Sequence, residues 1–198
     1  LVSRTPEKLG DVPAAVYALT AEDLRRAGIR SLPDALRLVP GVQVARVDAN
    51  KWAITARGFN NQFANKLLVL IDGRSVYSPL FSGVFWESQD VLVEDVERIE
   101  VIRGPGGTLW GANAVNGIIN VVTRSTRDTE GTLAQAGGGL PQTSWAAVRH
   151  GRSLGERGAY RLYLRHSTWP ASIDSSSRSQ ADDWRILRAG GRIDLSLS

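Results

Sequence analysis

The segment Arg98–Arg124, RIEVIRGPGGTLWGANAVNGIINVVTR, sets two runs of strand-forming residues on either side of a glycine-rich turn. The runs Arg98–Ile102 and Ile118–Thr123 are rich in valine and isoleucine and have the length of buried strands. The glycines between them allow a tight turn and close backbone packing where a side chain would not fit. The segment therefore predicts two strands joined by a compact turn.

The same turn, GPGGTLWG, raises the alternative of a nucleotide-dependent enzyme. A phosphate-binding loop needs clustered backbone amides, a lysine and a hydroxyl in the order GxxxxGK[ST]. No lysine follows this turn, and Pro105 removes one amide. Leu109 stands where the third glycine of GxGxxG belongs. Both phosphate patterns are therefore disfavoured.

The remaining chemistry-bearing residues do not form a catalytic pattern. The chain contains no cysteine, which excludes disulfides and thiolate metal sites. His150 and His166 have no second histidine or carboxylate at metal-ligand spacing. The carboxylate pairs Glu94–Asp95 and Glu97/Glu100 are explained as solvated charges or as partners of Arg98 and Arg103. We therefore expect neither an enzyme nor a cofactor or metal site.

Upstream, the sequence predicts short helices among strands. Thr20 is a candidate helix N-cap, and Gly28 is the expected stop of that helix. Ser31 is the candidate cap of a second helix that stops at Pro40-Gly41. The predicted strands are Val12–Leu19, Val42–Val47, Ile54–Arg57 and Lys66–Ile71. The last contains LLVLI, which is apolar on both faces and is therefore predicted to be central in a sheet.

Residues 77–88, YSPLFSGVFWES, hold four aromatic side chains among proline, glycine and serine, without periodicity. Aromatic residues in a loop suit a recognition surface, because they offer large contact area with few rotatable bonds. They could equally fold back onto the core. The sequence leaves both interpretations open.

After Thr126 the pattern changes to short segments separated by turns. Within Ala159–Ser167, one face is apolar and the other is mostly charged: Tyr160, Leu162 and Leu164 against Arg161, Tyr163 and Arg165. Within Arg185–Leu197, the two faces are Ile193, Leu195 and Leu197 against Arg192, Asp194 and Ser196. An apolar face opposite a charged face, over about ten residues, is typical of a strand between lipid and a wet lumen. A soluble sandwich would also alternate. The two earlier segments, Thr132–Gly138 and Ser144–His150, alternate poorly.

The charge distribution separates the same two regions. Residues 1–130 hold 15 basic and 15 acidic side chains, whereas the remaining residues hold 9 and 5 and supply the net charge of +4. The arginines are spread singly along strand-like segments, which disfavours a nucleic-acid surface. No apolar run approaches the 18 residues of a membrane helix.

The segments VPAAVYALTAEDL, LPDALRLVPGVQV, ARGF, LLVLIDG and VERIEVIRGPGGTLWGANAVNGIINVVTR closely resemble the plug domain of TonB-dependent outer-membrane receptors. The match runs from about Val12 to Arg124. The resemblance implies an α+β plug domain, a small mixed sheet with short helices, which would hold both strands of the opening segment. Antiparallel strands from the start of a transmembrane β-barrel of about 22 strands would follow.

On this resemblance, residues 1–11 are an N-terminal segment near a TonB box, 12–126 the plug and 131–198 the first barrel strands. The first residue is Leu1 rather than methionine, and the last 68 residues cannot close a barrel, so we expect a fragment. The implied function is energised import, across the outer membrane, of a scarce ligand such as a ferric siderophore, haem or cobalamin.

The implied partners are TonB with its inner-membrane energising complex, reached through the N-terminal segment, a small-molecule or metal-chelate ligand, and outer-membrane lipid, but no nucleic acid. No cofactor is implied. The alternative is a soluble periplasmic binding or signalling module with a plug-like fold. The ligand itself cannot be identified from the sequence.

The resemblance also suggests functional residues. Two plug loops are predicted to contact ligand, through Asn60, Asn61, Gln62, Phe63, Tyr77, Leu80, Phe81, Phe85 and Trp86. The plug motif and its anchoring to the barrel are predicted to involve Arg57, Gly58, Arg98, Glu100, Arg103, Gly104, Pro105, Gly111, Asn116 and Gly117. The arginines are expected to face the polar barrel wall and to bind its carboxylates.

Overall fold

The computed structural model describes residues 15–56, 58, 60–62, 64–81, 83–89, 91–104, 110, 113–139 and 142–196. These residues divide into two units. The first contains the described residues up to Val47 and Lys51–Thr123, and the second contains Asp48–Asn50 and the described residues from Arg124 onward. None of the described helices is both long and apolar enough to cross a membrane.

The first unit is a mixed sheet with two short helices and a separate hairpin. Its elements are β1 (Ala15–Thr20), α1 (Ala21–Arg26), α2 (Leu32–Leu36), β2 (Val42–Arg46), β3 (Trp52–Ala56), β4 (Leu67–Ile71), β5 (Arg74–Ser75), a 3₁₀ turn (Val93–Asp95), β6 (Val96–Arg103) and β7 (Gly117–Thr123). The sheet order is β1-β6-β7-β4-β5, and β2 pairs with β3 in the hairpin. Strands β4 and β7 are parallel, and the other pairs are antiparallel.

The sheet is covered on both faces. One face supplies Ile99, Val101 and Val121 to the larger core, which also contains buried leucines of α1 and α2. The other face supplies a smaller cluster that includes Ile102 and Ile118. The predicted burial of LLVLI on both faces is confirmed, since residues 67–70 are all buried. The predicted central position of this strand is only partly confirmed. Strand β4 has neighbours on both sides, but one of them, β5, is only two residues long.

Both predicted helix caps are confirmed. The Thr20 hydroxyl accepts a hydrogen bond from the Asp23 amide at 3.2 Å, and the Asp23 carboxylate accepts one from the Thr20 amide at 2.9 Å. This capping box satisfies two amides that the first helical turn leaves without partners. Ser31 caps α2 in the same manner, through the amide of Asp34. Helix α2 ends at Leu36, earlier than the predicted Pro40-Gly41 stop.

Gly117, at the end of the glycine-rich turn, is required to be glycine for a steric reason. It begins β7 opposite Arg103 of β6 and beside Leu67 of β4, so that three strands meet at this point. A Cβ atom on Gly117 would lie 2.5 Å from the Ile102 carbonyl oxygen and 3.3 Å from Leu67 Cδ1. Only glycine permits this approach. The prediction that both strands of the opening segment belong to one sheet is confirmed, and the two strands pair antiparallel.

The second unit is an antiparallel sheet in the order β11-β10-β9-β8. A 3₁₀ turn (Arg127–Thr129) precedes β8 (Gly131–Gly138), β9 (Ser144–Ser153), β10 (Gly158–Trp169) and β11 (Trp184–Leu195). In β10, Leu162 is 58% exposed whereas Arg161 is 4% exposed, which confirms the predicted alternation. Strand β11 alternates likewise, with Leu187, Ile193 and Leu195 exposed.

Replacement of Gly117 with alanine should destabilise the first unit. The added Cβ would overlap the Ile102 carbonyl, and overpacking of this kind costs about 1–3 kcal/mol. We expect a lower midpoint in urea denaturation followed by tryptophan fluorescence. Asn116→Ala is the matched control, because the backbone of Asn116 makes the hydrogen bonds to Lys66 and Gly104. Equal midpoints for the two variants would contradict the proposed close contact.

Candidate functional site

A polar cluster lies within the first unit, on strands β6 and β7. Glu100 and Asn120 face each other across the strand pair and are 7% and 6% exposed. The Asn120 amide donates a hydrogen bond to Glu100 Oε2 at 3.0 Å, and Arg98 Nε donates one to Glu100 Oε1 at 2.7 Å. The buried carboxylate is thus hydrogen-bonded through both oxygens, as a buried charge requires.

Arg98 is held by carboxylates of its own strand. Besides Glu100 it binds Glu97, so the predicted pairing of these two glutamates with Arg98 is confirmed. The pKa of the Arg98 guanidinium is raised above its ordinary value, chiefly by the hydrogen bond to Glu100. Both of these ion pairs lie within the first unit. Anchoring of the plug by Arg98 to a barrel wall stays a prediction.

Arg103 lies at the end of β6 and reaches the turn that follows α2. A Cβ atom on Gly41 would lie 2.8 Å from Arg103 Nη1, so the guanidinium passes over the glycine. Gly41 has a φ of +78°, which glycine adopts without strain. Gly104 continues the chain and donates its amide to the Asn116 carbonyl at 3.1 Å. The predicted motif residues Arg103, Gly104 and Asn116 therefore lie close together.

The aromatic loop divides into an exposed part and a buried part. Leu80 is 84% exposed, whereas Trp86 is 6% exposed and belongs to the larger core. Phe81 and Phe85 pack edge to face, with their ring centroids 4.5 Å apart. Trp86 therefore follows the alternative interpretation, packing onto the core. Because it is buried, we leave it out of the candidate ligand surface.

The two predicted ligand loops lie next to each other. The Tyr77 hydroxyl donates a hydrogen bond to the Asn65 carbonyl, just after Asn60, Asn61 and Gln62. Burial raises the pKa of the Tyr77 hydroxyl above its ordinary value. Of the three polar residues, Asn61 is exposed and the other two are half-buried. The side chains that the two loops leave accessible therefore form one candidate surface.

A third feature near the hairpin was not predicted. The Trp52 ring has the Arg37 guanidinium 5.3 Å and the Arg46 guanidinium 5.9 Å from its centroid. These distances are typical of cation–π contacts. Arg46 and Trp52 are cross-strand partners of β2 and β3, but Arg37 follows α2. The pairing in the hairpin could have been found from the sequence RVDANKW; the contact with Arg37 could not.

The polar face of β9, β10 and β11 is rich in arginine. It carries Arg149, Arg161, Arg165, Arg188 and Arg192. Arg165 lies opposite Arg188, and Arg161 lies opposite Arg192. Among the described residues of these strands, the carboxylate on this face is Asp194, which Arg192 binds at 2.7 Å.

The other predicted site residues have mixed outcomes. Gly58 has a φ of +89°, a backbone conformation that favours glycine. Arg57, Phe63, Pro105 and Gly111 lie outside the described residues. Within the described ranges, no group of three or more histidine, cysteine or acidic side chains could hold a metal ion.

Several solved structures share the fold of this chain. The ferric yersiniabactin uptake receptor FyuA from Yersinia pestis aligns with a TM-score of 0.71 at 18% identity, over 92% of this chain and 29% of that chain. The ferric enterobactin receptor PfeA from Pseudomonas aeruginosa, as its Q482A mutant, aligns with a TM-score of 0.67 at 23% identity, over 92% and 31%. These similarities define the fold as that of a plug followed by barrel strands.

The sequence comparison then assigns the family. The model of the TonB-dependent Receptor Plug Domain matches residues 8–118, and the chain belongs to this family. The vitamin B12 transporter BtuB of Vibrio vulnificus is 31% identical over 162 residues, which cover 81% of this chain and 26% of the relative. The iron-regulated outer membrane virulence protein of Vibrio cholerae is 36% identical over 119 residues, covering 58% and 18%. The chain thus spans about a quarter of the length of BtuB.

A double-mutant cycle should separate two roles of Arg98. If Arg98 acts through Glu100, Arg98→Ala should destabilise the receptor, and the loss should shrink when Glu100 is already glutamine. We expect a coupling free energy of about 1–2 kcal/mol. Arg25→Ala is the control, because Arg25 binds Glu22 on the exposed surface of α1. Additive effects of the two substitutions in urea denaturation would indicate that Arg98 acts elsewhere, for example on the barrel wall.

Proposed function

We propose that this chain is the plug and the first barrel strands of an outer-membrane receptor that imports a scarce ligand by TonB-dependent transport. The observation that carries the proposal is the plug-family match over residues 8–118, continuous with an antiparallel sheet that has one apolar and one arginine-rich face. The plug would lie inside the barrel and face the periplasm below, and the exposed leucines of β10 and β11 would contact lipid.

The ligand class is an iron chelate or a cobalt-containing vitamin. Relatives are named for vitamin B12 transport and for iron regulation, and fold neighbours for ferric siderophore uptake. The proposed ligand surface consists of Asn60, Asn61 and Gln62 and of the exposed part of the aromatic loop, where Leu80 is exposed and Phe81 is half-buried. Trp52 with its two arginines adds a site for a planar or anionic group.

Force would enter the plug through β1. TonB would pull on the N-terminal segment, residues 1–11, which leads into β1. In the described sheet, β1 is an edge strand paired with β6. A pull from the N-terminal side would separate Ala15 from Arg103 first and then the remaining pairs in turn. The plug could therefore yield at one edge while its central strands stay paired, and no covalent chemistry is needed.

Uptake measurements test the function. The full-length receptor would be expressed in cells that lack their own siderophore and vitamin B12 receptors. We expect accumulation of one probe among iron-55 siderophores, haem and cobalt-57 cyanocobalamin, and its loss when TonB is deleted. Receptor that appears in the soluble periplasmic fraction, with no probe accumulated, would instead support a soluble binding or signalling module.

Truncation of the exposed loop should weaken ligand binding without unfolding the receptor. Leu80→Ala removes an exposed apolar side chain and Phe81→Ala a half-buried ring, so we expect the Kd for the transported probe to rise about tenfold. Leu154→Ala is a matched control, since Leu154 is an exposed leucine after β9. Unchanged affinity in the double variant would remove this loop from the ligand surface.

A further inference from the structure

Residues 124–129, which we call the strap, are held against the ends of the strands that follow them in the second unit. The two threonines of the strap, Thr126 and Thr129, are 0% and 2% exposed, although threonine is usually a surface residue. The Asp128 amide donates a hydrogen bond to the Ser125 carbonyl, and the Thr129 amide donates one to the Thr126 carbonyl, both at 3.2 Å. Because these bonds join the strap to itself, its contacts with the sheet break together rather than singly.

Thr126 bridges the ends of two paired strands. Ala159 of β10 lies opposite Asp194 of β11. The Thr126 amide donates a hydrogen bond to Asp194 Oδ2 at 2.9 Å. The Thr126 hydroxyl lies 3.0 Å from the same oxygen and 3.1 Å from the Ala159 carbonyl oxygen, so it can donate to either strand. The carboxylate is itself held, because Arg192 Nε donates to Asp194 Oδ1 at 2.7 Å. One threonine thus binds the strap to both β10 and β11.

Two arginines hold the strap on either side of Thr126. Arg161 of β10 is 4% exposed and donates through Nη1 to the Arg124 carbonyl at 2.7 Å. Arg127 donates through Nη2 to the Glu156 carbonyl at 2.9 Å, in the turn between β9 and β10. Both are hydrogen bonds from a charged donor, which are stronger than those between neutral groups. The strap is therefore bound through its backbone at Arg124 and through a side chain at Arg127.

Gly151 of β9 allows the strap to lie directly on the sheet. It is opposite Arg161 of β10 and opposite Gly131 of β8. A Cβ atom on Gly151 would overlap the Thr129 carbonyl oxygen, so a side chain at this position would push the strap away from the sheet. The strap thus contacts the ends of β11, β10 and β9 before the chain enters β8.

We propose that the strap is a stop, which keeps a pull on the plug from drawing β8 out of the sheet. Segments that connect domains are commonly exposed and flexible. The second unit instead begins at Arg124, whose carbonyl is bonded to β10, and the two buried threonines follow. A force that reaches Arg124 along the chain would therefore pass into β10 and β11 rather than into β8 alone. The role rests on the proposed function in one respect, namely that TonB would supply the force.

Extension of the full-length receptor at constant force, in a lipid bilayer, tests the strap with neither TonB nor ligand. The handle is attached immediately before Leu1. After the plug has unravelled we expect a separate step, in which release of residues 124–130 lengthens the tether by up to about 24 Å. Thr126→Val removes the hydroxyl, and Gly151→Ala pushes the strap away from β9. Each variant should therefore shorten the dwell time before this step at least about tenfold.

Asp128→Ala is the matched control, because Asp128 is an exposed residue of the same 3₁₀ turn, and it should leave the dwell time unchanged. A wild-type receptor that shows no separate step would overturn the proposal. Equal dwell times in Thr126→Val and the wild type would overturn it as well, and this comparison decides if Gly151→Ala does not assemble. Because the force is applied directly, a failed uptake assay would reject the proposed function while leaving this result standing.

Discussion

The close approach of three backbones at Gly117 is the constraint on which the first unit depends. Here β7 starts between the end of β6 and the start of β4, and the Ile102 carbonyl occupies the space of a side chain. The parallel β4–β7 pair and the antiparallel β6–β7 pair both take their register from this point. Since β1 pairs with β6 and β5 with β4, the order of the whole sheet follows from it.

The first unit neutralises its central charges internally. Glu100 is buried on a strand, yet both its oxygens are bonded by Arg98 and Asn120, and Arg98 also holds Glu97. A plug that must move relative to its surroundings gains from this arrangement, because a charge paired within the plug is not left without a partner when the plug shifts.

Features set by neighbouring residues could be predicted, and those set by distant residues could not. The Thr20 and Ser31 caps, the β6 and β7 strands and the alternation in β10 and β11 depend on residues within a few positions, and the sequence indicates them. Trp86 was undecided, since only tertiary packing distinguishes an exposed aromatic from a buried one. The contact of Arg37 with Trp52 and the bond from Ala49 to Asp182 depend on chain segments that no local pattern relates.

The edge position of β1 determines how the proposed pull from TonB would act on the plug. Residue pairs peeled one at a time break at low force, because each step breaks few hydrogen bonds, whereas shearing a central strand breaks many together. Peeling of β1 would expose β6, whose other neighbour β7 still holds it through Gly117 and the Glu100–Asn120 bond. Partial opening is therefore compatible with an intact central sheet.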